Sequence, residues 1–291
     1  MTYKEACNEA VRRLEAAQVP EAKENALLLL EHVCAAKRQD LYLHPDRVLD
    51  EDEQAELDKL ISARAERIPL QQLTGTQFFM GLEFCVNGSV LIPRQDTEVL
   101  AERVLKDGVS GKRLLDLCTG SGCILISIAC IGKASYAAGC DISAKALSVA
   151  EENARILGVD AVFYEGDLFG ALPDTLKGSF DVITANPPYI RSGDIAGLMP
   201  EVREHEPIGA LDGGEDGLVF YRRIAAEAEE WLAKGGRIYM ETGCDQAEAV
   251  CDIFAGRAYK DIEVIKDYAG LDRVVCCSNK ERQICSDNWK I

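Results

Sequence analysis

From about residue 93 onward the chain alternates short β-type runs with helical stretches, and this alternation restricts the fold more than any other feature. The β-type runs fall at 113–118, 136–141, 161–165, 180–186, 236–242, 262–266 and 272–277, and helical periodicity occupies 123–131, 144–157, 218–233 and 246–254. Strands separated by helices form a mostly parallel sheet, because each parallel connection needs a crossover. The expected fold is therefore α/β and doubly wound. The last two runs sit too close together for a crossover, so they are expected to pair antiparallel at an edge.

The first part of the chain reads differently. Residues 1 to about 69 are helical throughout, with Ala6, Val11, Leu14 and Ala17 on one face, an apolar stripe from Ala26 to Val33, and Leu57, Leu60, Ile61 and Ala65 on another face. Pro20, Pro45 and Pro69 separate these helices. Between 70 and 92 the pattern turns to strand, with Phe78, Phe79, Leu82, Phe84, Val86, Val90 and Leu91 around Gly81 and Asn87-Gly88, the Asn-Gly pair being a hairpin signal. The expected division is a helical domain at 1–69, a β-hairpin linker at 70–92, the α/β domain at 93–280 and a polar tail at 281–291. The 291 residues suffice for one large and one small core.

Composition narrows the function classes. No apolar run approaches a membrane span and the start is amphipathic rather than signal-like, so a cytoplasmic protein with no membrane association is expected. The formal charge is −17. Affinity built on phosphate neutralisation needs a basic surface, so direct nucleic-acid binding is not expected. The 12 cysteines are scattered, and the 3 histidines (His32, His44, His205) do not cluster with them. Without short ligand spacing no metal site is expected.

Chemistry concentrates at four successive strand ends. The first strand runs through Asp116 and Cys118 into Thr119-Gly120-Ser121-Gly122 and a helix. Glycines there let backbone approach a ligand, and free N–H groups at the helix start can face it, although many such turns carry glycine for geometry alone. The second strand ends at Asp141-Ile142, about 20 residues on, where a carboxylate can grip a ribose diol or cap the following helix. The third ends at Asp167-Leu168-Phe169, where an acid can accept from an adenine amino group beneath an apolar cover, or be an ordinary loop residue beside core side chains. A dinucleotide turn would carry Gly-x-Gly-x-x-Gly, and here the third glycine is absent. A ligand without a pyrophosphate fits better. S-adenosylmethionine has adenine, ribose, a sulfonium and an amino-acid end, and Asp116 would suit its cationic parts.

The fourth strand runs into Asn186-Pro187-Pro188-Tyr189. Two prolines fix the backbone and remove two donors, leaving an acceptor-rich turn beside an aromatic face. An amide or aromatic-amine nitrogen is a poor nucleophile because its lone pair is delocalised. Acceptance of its two hydrogens by the Asn186 side chain and the Pro187 carbonyl would orient it and favour the positive charge that develops as a methyl group arrives. Tyr189 can hold the planar group. Asn186, Pro187 and Tyr189 are the expected catalytic residues.

These motifs join with Pro69-Leu70-Gln71-Gln72-Leu73-Thr74-Gly75, with Leu91-Ile92-Pro93-Arg94-Gln95-Asp96-Thr97-Glu98, and with Glu206-Pro207 followed by Ala210-Leu211-Asp212-Gly213-Gly214-Glu215-Asp216-Gly217. Together they resemble the HemK/PrmC family, the peptide chain release factor glutamine N5-methyltransferases, over almost the whole chain. The Asn-Pro-Pro-Tyr turn is shared with adenine-N6 methyltransferases, whereas the Ile-Pro-Arg-x-Asp-Thr-Glu segment is far more specific. The resemblance implies a Rossmann-like seven-stranded methyltransferase domain that uses S-adenosylmethionine and releases S-adenosylhomocysteine, with no metal. It implies the glutamine of the Gly-Gly-Gln loop of class 1 release factors as substrate, and a helical domain that helps hold the release factor. A monomer is expected.

Carried over by position, Asp116, residues 118–122, Asp141, Ile142, Asp167, Leu168, Phe169 and Asn186 are expected at the cofactor, and residues 186–189 at the glutamine. Leu168 stands where family members often carry a bulkier aromatic, which moves the expected adenine cover to Phe169. Cys118 stands where glycine is usual, and only its backbone would be needed. Asp96 or Thr97 is expected to cap a helix. A ribosomal-protein glutamine methyltransferase would share every catalytic residue and is the alternative. An adenine-N6 nucleic-acid methyltransferase is disfavoured by the charge, and a non-catalytic binding module by the intact turn.

Overall fold

The computed structural model describes residues 1–279; the expected polar tail at 281–291 lies outside the described residues. The elements, in chain order, are α1 (Tyr3–Ala16), α2 (Ala22–Val33), α3 (Arg38–Leu43), α4 (Glu51–Ala65), α5 (Leu70–Thr74), β1 (Thr76–Phe79), β2 (Leu82–Cys85), α6 (Gln95–Asp107), β3 (Arg113–Leu117), α7 (Cys123–Gly132), β4 (Tyr136–Asp141), α8 (Ala144–Leu157), β5 (Val162–Glu165), β6 (Phe180–Ala185), α9 (Pro200–His205), α10 (Val219–Trp231), β7 (Leu232–Glu241), α11 (Ala247–Ala255), β8 (Lys260–Lys266) and β9 (Asp272–Ser278). Among the described residues no helix is long and apolar enough to cross a membrane.

The chain forms two compact units. The first comprises Met1–Thr76 with two returning segments, Val86–Gly88 and Leu198–Glu206. Its core is built from Ala6, Ala10 and Leu14 of α1, Leu27, Leu29 and Leu30 of α2, and Leu57, Leu60 and Ile61 of α4. Reciprocal capping boxes start two of these helices: Thr2 with Glu5, and Asp50 with Glu53. A polar cluster is buried beside the apolar core. Arg64 donates to Asn25 Oδ1 at 2.8 Å and to Glu201 Oε1 at 2.8 Å, and Arg67 reaches both oxygens of Glu201 at 2.7 and 2.6 Å.

The second unit, Gln77–Cys85, Ser89–Gly197 and Pro207 onward, holds a seven-stranded sheet in the order β5-β4-β3-β6-β7-β9-β8. The strands from β5 to β7 are parallel, and β9 is antiparallel to both β7 and β8. Alternate residues serve two cores. Leu115, Leu117, Ile183 and Ala185 pack with α10 and α11, while Leu114 and Val182 pack with α6 and α7. Burial on both faces is why these strands read as continuous apolar runs instead of alternating ones. The antiparallel pairing of the last two runs is present, with β9 inside β8, so that of these two β8 alone is an edge strand.

The hairpin turns at Met80-Gly81, with φ of 52° and 76°, instead of at Asn87-Gly88. Two successive positive φ values are what a two-residue hairpin loop requires, and Gly88 does not adopt one. Helix α6 is absent from the periodicity expected above. It nonetheless buries Thr97, Leu100, Ala101 and Val104, an i, i+3, i+4, i+7 stripe. Neither Asp96 nor Thr97 caps it. The N-cap is Arg94, without a side-chain cap bond, while Asp96 pairs with Arg273 at 3.2 Å.

Candidate active site

In a doubly wound sheet, ligands sit at the carboxyl ends of the strands where the strand order reverses. Here β3 lies between β4 and β6, so the loops after β3 and β6 meet at that point. A cavity of about 390 Å³ opens there within the second unit. Of the expected residues, Cys118, Thr119, Gly120, Ser121, Asp141, Ile142, Asp167, Leu168, Asn186 and Pro188 line it, and Asp116, Gly122, Phe169, Pro187 and Tyr189 do not.

The turn after β3 is braced by carboxylates at its base. Asp116 is fully buried, and each of its oxygens accepts a hydroxyl at 2.6 Å, from Thr119 and from Thr184. Thr184 is its register partner across β3 and β6. Burial pushes the Asp116 carboxyl up to about 7 against these two hydrogen bonds. Asp116 therefore shapes the turn from beneath and lies outside the cavity lining. Asp141 splits its two oxygens. Oδ2 accepts from Gly120 N at 2.9 Å, and Oδ1 accepts from Ser143 N at 2.9 Å at the start of α8. It thus steadies both the turn and the next helix, and each oxygen keeps a further lone pair.

Backbone conformation explains the rest of the turn. Cys118 lies at φ 55°, in the left-handed region where a side chain costs about 1–2 kcal/mol. Gly122 lies at φ 78°, and a Cβ there would come within 2.7 Å of Ile126 and 3.2 Å of Ala150. Its smallness serves the packing of α7 against α8. Asn153 of α8 joins the turn to the hairpin, donating to Ser121 O at 2.9 Å while bonding both backbone groups of Cys85.

At the end of β5, Leu168 (φ 49°) lines the cavity and Phe169 does not. Phe169 is buried, stacked on Trp231 of α10 with centroids 5.8 Å apart. The Phe169 ring expected as a cover is instead claimed by the core, and Leu168 is the residue of the pair that borders the cavity. Asp167 pairs with Arg223 of α10 at 2.8 Å.

At the end of β6, Asn186 Nδ2 donates to Thr97 Oγ1 at 3.4 Å. The Tyr189 ring does not line the cavity; its hydroxyl donates to Glu241 Oε1 at 3.2 Å, and burial pushes its pKa up. A glycine-rich segment backs the turn. Ile190 N donates to Leu211 O, Gly213 N donates to Ile190 O, and Gln246 Nε2 donates to Tyr189 O. A Cβ on Gly213 would fall 2.7 Å from Pro188 O, so only glycine allows this approach.

Several residues that line the cavity carried no individual chemical role in the sequence: Ser89, Val90, Leu91, Pro93, Arg94 and Thr97, and Pro207, Gly209, Ala210 and Asp212. The Ile-Pro-Arg and Glu-Pro segments were the signal for most of them. Phe220 and Arg223, a helical i, i+3 pair, carried none. Among the described residues no group of three or more His, Cys, Asp or Glu is placed to hold a metal ion.

With this geometry in place, comparison with known proteins gives a consistent result. Residues 5–75 match the PrmC N-terminal domain, and residues 109–282 match a methyltransferase domain. The release factor glutamine methyltransferase of Geobacter sulfurreducens is 43% identical over 256 residues, 87% of this chain and 89% of its own. That of Moorella thermoacetica is 42% identical over 286 residues, covering 97% of this chain and 100% of its own. A crystal structure of a methyltransferase from Pyrococcus furiosus, 16% identical, superposes with a TM-score of 0.52 over 79% of this chain and 98% of that one, a likeness of fold.

Proposed function

The chain belongs to the release factor glutamine methyltransferase family, and from that premise we propose that it transfers a methyl group from S-adenosylmethionine to the side-chain amide nitrogen of the glutamine in the Gly-Gly-Gln motif of class 1 release factors. The observation that carries this reading is the Asn186 turn at the end of β6, which borders the same cavity as the β3 and β4 turns.

When bound, S-adenosylmethionine supplies a sulfonium methyl group as the electrophile. The residues fit that ligand: Asp141 has lone pairs left for a ribose diol, Gly120 has open space on its Cα side, and Leu168 offers an apolar face. Asp167 keeps one oxygen for an adenine amino group beside its bond to Arg223. On the substrate side, Asn186 Oδ1 and the Pro187 carbonyl accept the two hydrogens of the glutamine amide. They hold its nitrogen in line and stabilise the charge that develops there. Tyr189 contributes by bracing the turn through Glu241. The helical unit serves as the docking surface for the release factor, with Tyr42, Leu43 and Val48 exposed on it. The charge of −17 supports a protein substrate over a nucleic acid.

The division of roles is tested by Asn186→Ala. Turnover should fall by roughly 100- to 1000-fold, the loss typical of one transition-state hydrogen-bonding group, while calorimetry shows S-adenosylmethionine affinity nearly unchanged. Parallel loss of both would contradict the assignment.

A further inference from the structure

A turn that presents acceptors works only while its backbone stays in place. Pro187 and Pro188 lock two φ angles and remove two N–H groups, so the turn is stiff but has few donors with which to hold itself. The hold lies at its far end. The peptide group joining Tyr189 to Ile190 is trans and is bonded on both sides: its N–H donates to Leu211 O at 3.0 Å, and its carbonyl accepts from Gln246 Nε2 at 2.9 Å. A planar peptide bonded at both ends cannot rotate without breaking one of the two bonds. Through the two locked prolines that constraint reaches the Pro187 carbonyl and Asn186.

The Leu211 side of this clamp is main chain and needs no particular side chain. The other side depends on one residue. Gln246 stands at the N-cap of α11, where a polar side chain ordinarily accepts from the first turn of its own helix. It makes no such bond. Gln246 is 3% exposed, and its carboxamide is committed elsewhere: Oε1 accepts from Gly243 N at 3.1 Å while Nε2 donates to Tyr189 O. Both partners are backbone groups of fixed character, an N–H that donates and a carbonyl that accepts, so exchanging Oε1 and Nε2 would lose both bonds. The neighbours leave room for this reach and no more. A Cβ on Gly217 would fall 2.4 Å from both Nε2 and Tyr189 O, and one on Gly243 would fall 2.8 Å from Oε1. The Tyr189 hydroxyl, donating to Glu241 Oε1 at 3.2 Å, adds a second tie to the end of β7.

We infer that Gln246 is a positioning residue for methyl transfer, an inference that rests on the amide-methyltransferase reading of the site. Its carboxamide pins the peptide group that ends the Asn-Pro-Pro-Tyr turn, and so sets where the Pro187 carbonyl and Asn186 meet the substrate amide.

The test compares Gln246→Met, which keeps the length of the side chain and removes donor and acceptor, with Gln246→Glu. Gln246→Met should lower kcat on the release factor by roughly ten- to a hundred-fold, the scale of a displaced reacting group, with S-adenosylmethionine affinity within about three-fold of wild type. At about pH 6 burial keeps the carboxyl of Gln246→Glu protonated. It then has an O–H for Tyr189 O and an oxygen for Gly243 N, and kcat should return to within about three-fold of wild type at that pH. Wild-type kcat in Gln246→Met, parallel loss of kcat and cofactor affinity, or equal losses in the Met and Glu variants at that pH would each overturn the inference. Two readouts independent of activity separate its failure from that of the functional reading. In the wild-type protein the Gln246 side-chain amide should exchange with solvent at least about ten-fold more slowly than that of the exposed Gln95. The Asn186 side-chain amide signals in a 1H–15N spectrum should move in Gln246→Met. Both results are expected even if wild type transfers no methyl group to release factors. A Gln246 amide that exchanges as fast as that of Gln95, or Asn186 signals that do not respond to Gln246→Met, would refute the positioning role whatever the substrate proves to be.

Discussion

Asp116 shows how one buried carboxyl links the site to the solution conditions. Its carboxyl titrates near 7 in the fold against an ordinary value of 3.8, because burial outweighs the hydroxyls of Thr119 and Thr184. A folded value raised above the unfolded one means that the fold favours the protonated form. That contribution is complete below about 3.8 and is lost as pH rises through about 7. Asp116→Asn should therefore flatten the decline in stability across that window, measured as melting temperature against pH. A variant with the wild-type slope would show that Asp116 is not the titrating group. The nature of Asp116 was legible in the sequence, but not its position. Its place in the Asp-Leu-Cys-Thr-Gly run suggested a ligand contact, whereas the register that sets it beside Thr184 depends on a strand that follows far along the chain. Phe169 failed for a similar reason: the next aromatic after Leu168 looked like a better cover until Trp231 of α10 claimed it. Cys118 was expected where glycine is usual, and it lies at φ 55°, in the left-handed region that glycine adopts at no steric cost.

The helices and strands were legible where local chemistry marks both ends. α8 runs from Ala144 to Leu157, the span expected, because Ser143 caps its start and Gly158 at φ 67° ends it. The order of the last strands was not legible from spacing alone. Val274 to Cys277 are fully buried, which suits an inner strand, while β8 is largely exposed and suits an edge. That contrast was present in the residue types, but strand proximity in sequence was the stronger local cue. Least visible was the link between α4 and α9, more than 130 residues apart, through Glu201. Burial alone would raise the pKa of this carboxyl, yet hydrogen bonds from Arg67 and Arg64 bring it down to about 2 from 4.5. A depressed carboxyl stabilises the fold above its unfolded value and loses that contribution as pH falls from about 4.5 through about 2. The shift corresponds to on the order of 3 kcal/mol at neutral pH. Glu201→Gln should cost about 3–5 kcal/mol in denaturant unfolding, since it leaves two guanidinium groups without their counter-charge, and it should remove the acid-side loss. A cost below about 1 kcal/mol would place this cluster with ordinary surface pairs.

The molecule combines an acidic chain, a helical unit with exposed apolar side chains, and a strand-end cavity bordered by Asn186 and Pro188. An acceptor-rich turn suits a primary amide, and a net charge of −17 does not suit a phosphate backbone. The central claim is that the acceptor turn acts on one glutamine side chain. Transfer of labelled methyl groups from S-adenosylmethionine to purified class 1 release factors tests it, with wild-type factors compared against Gln→Ala in their Gly-Gly-Gln motif. Label on the wild-type factors alone is the expected result. Equal label on both, or label on a ribosomal protein or on DNA with none on either factor, would contradict it.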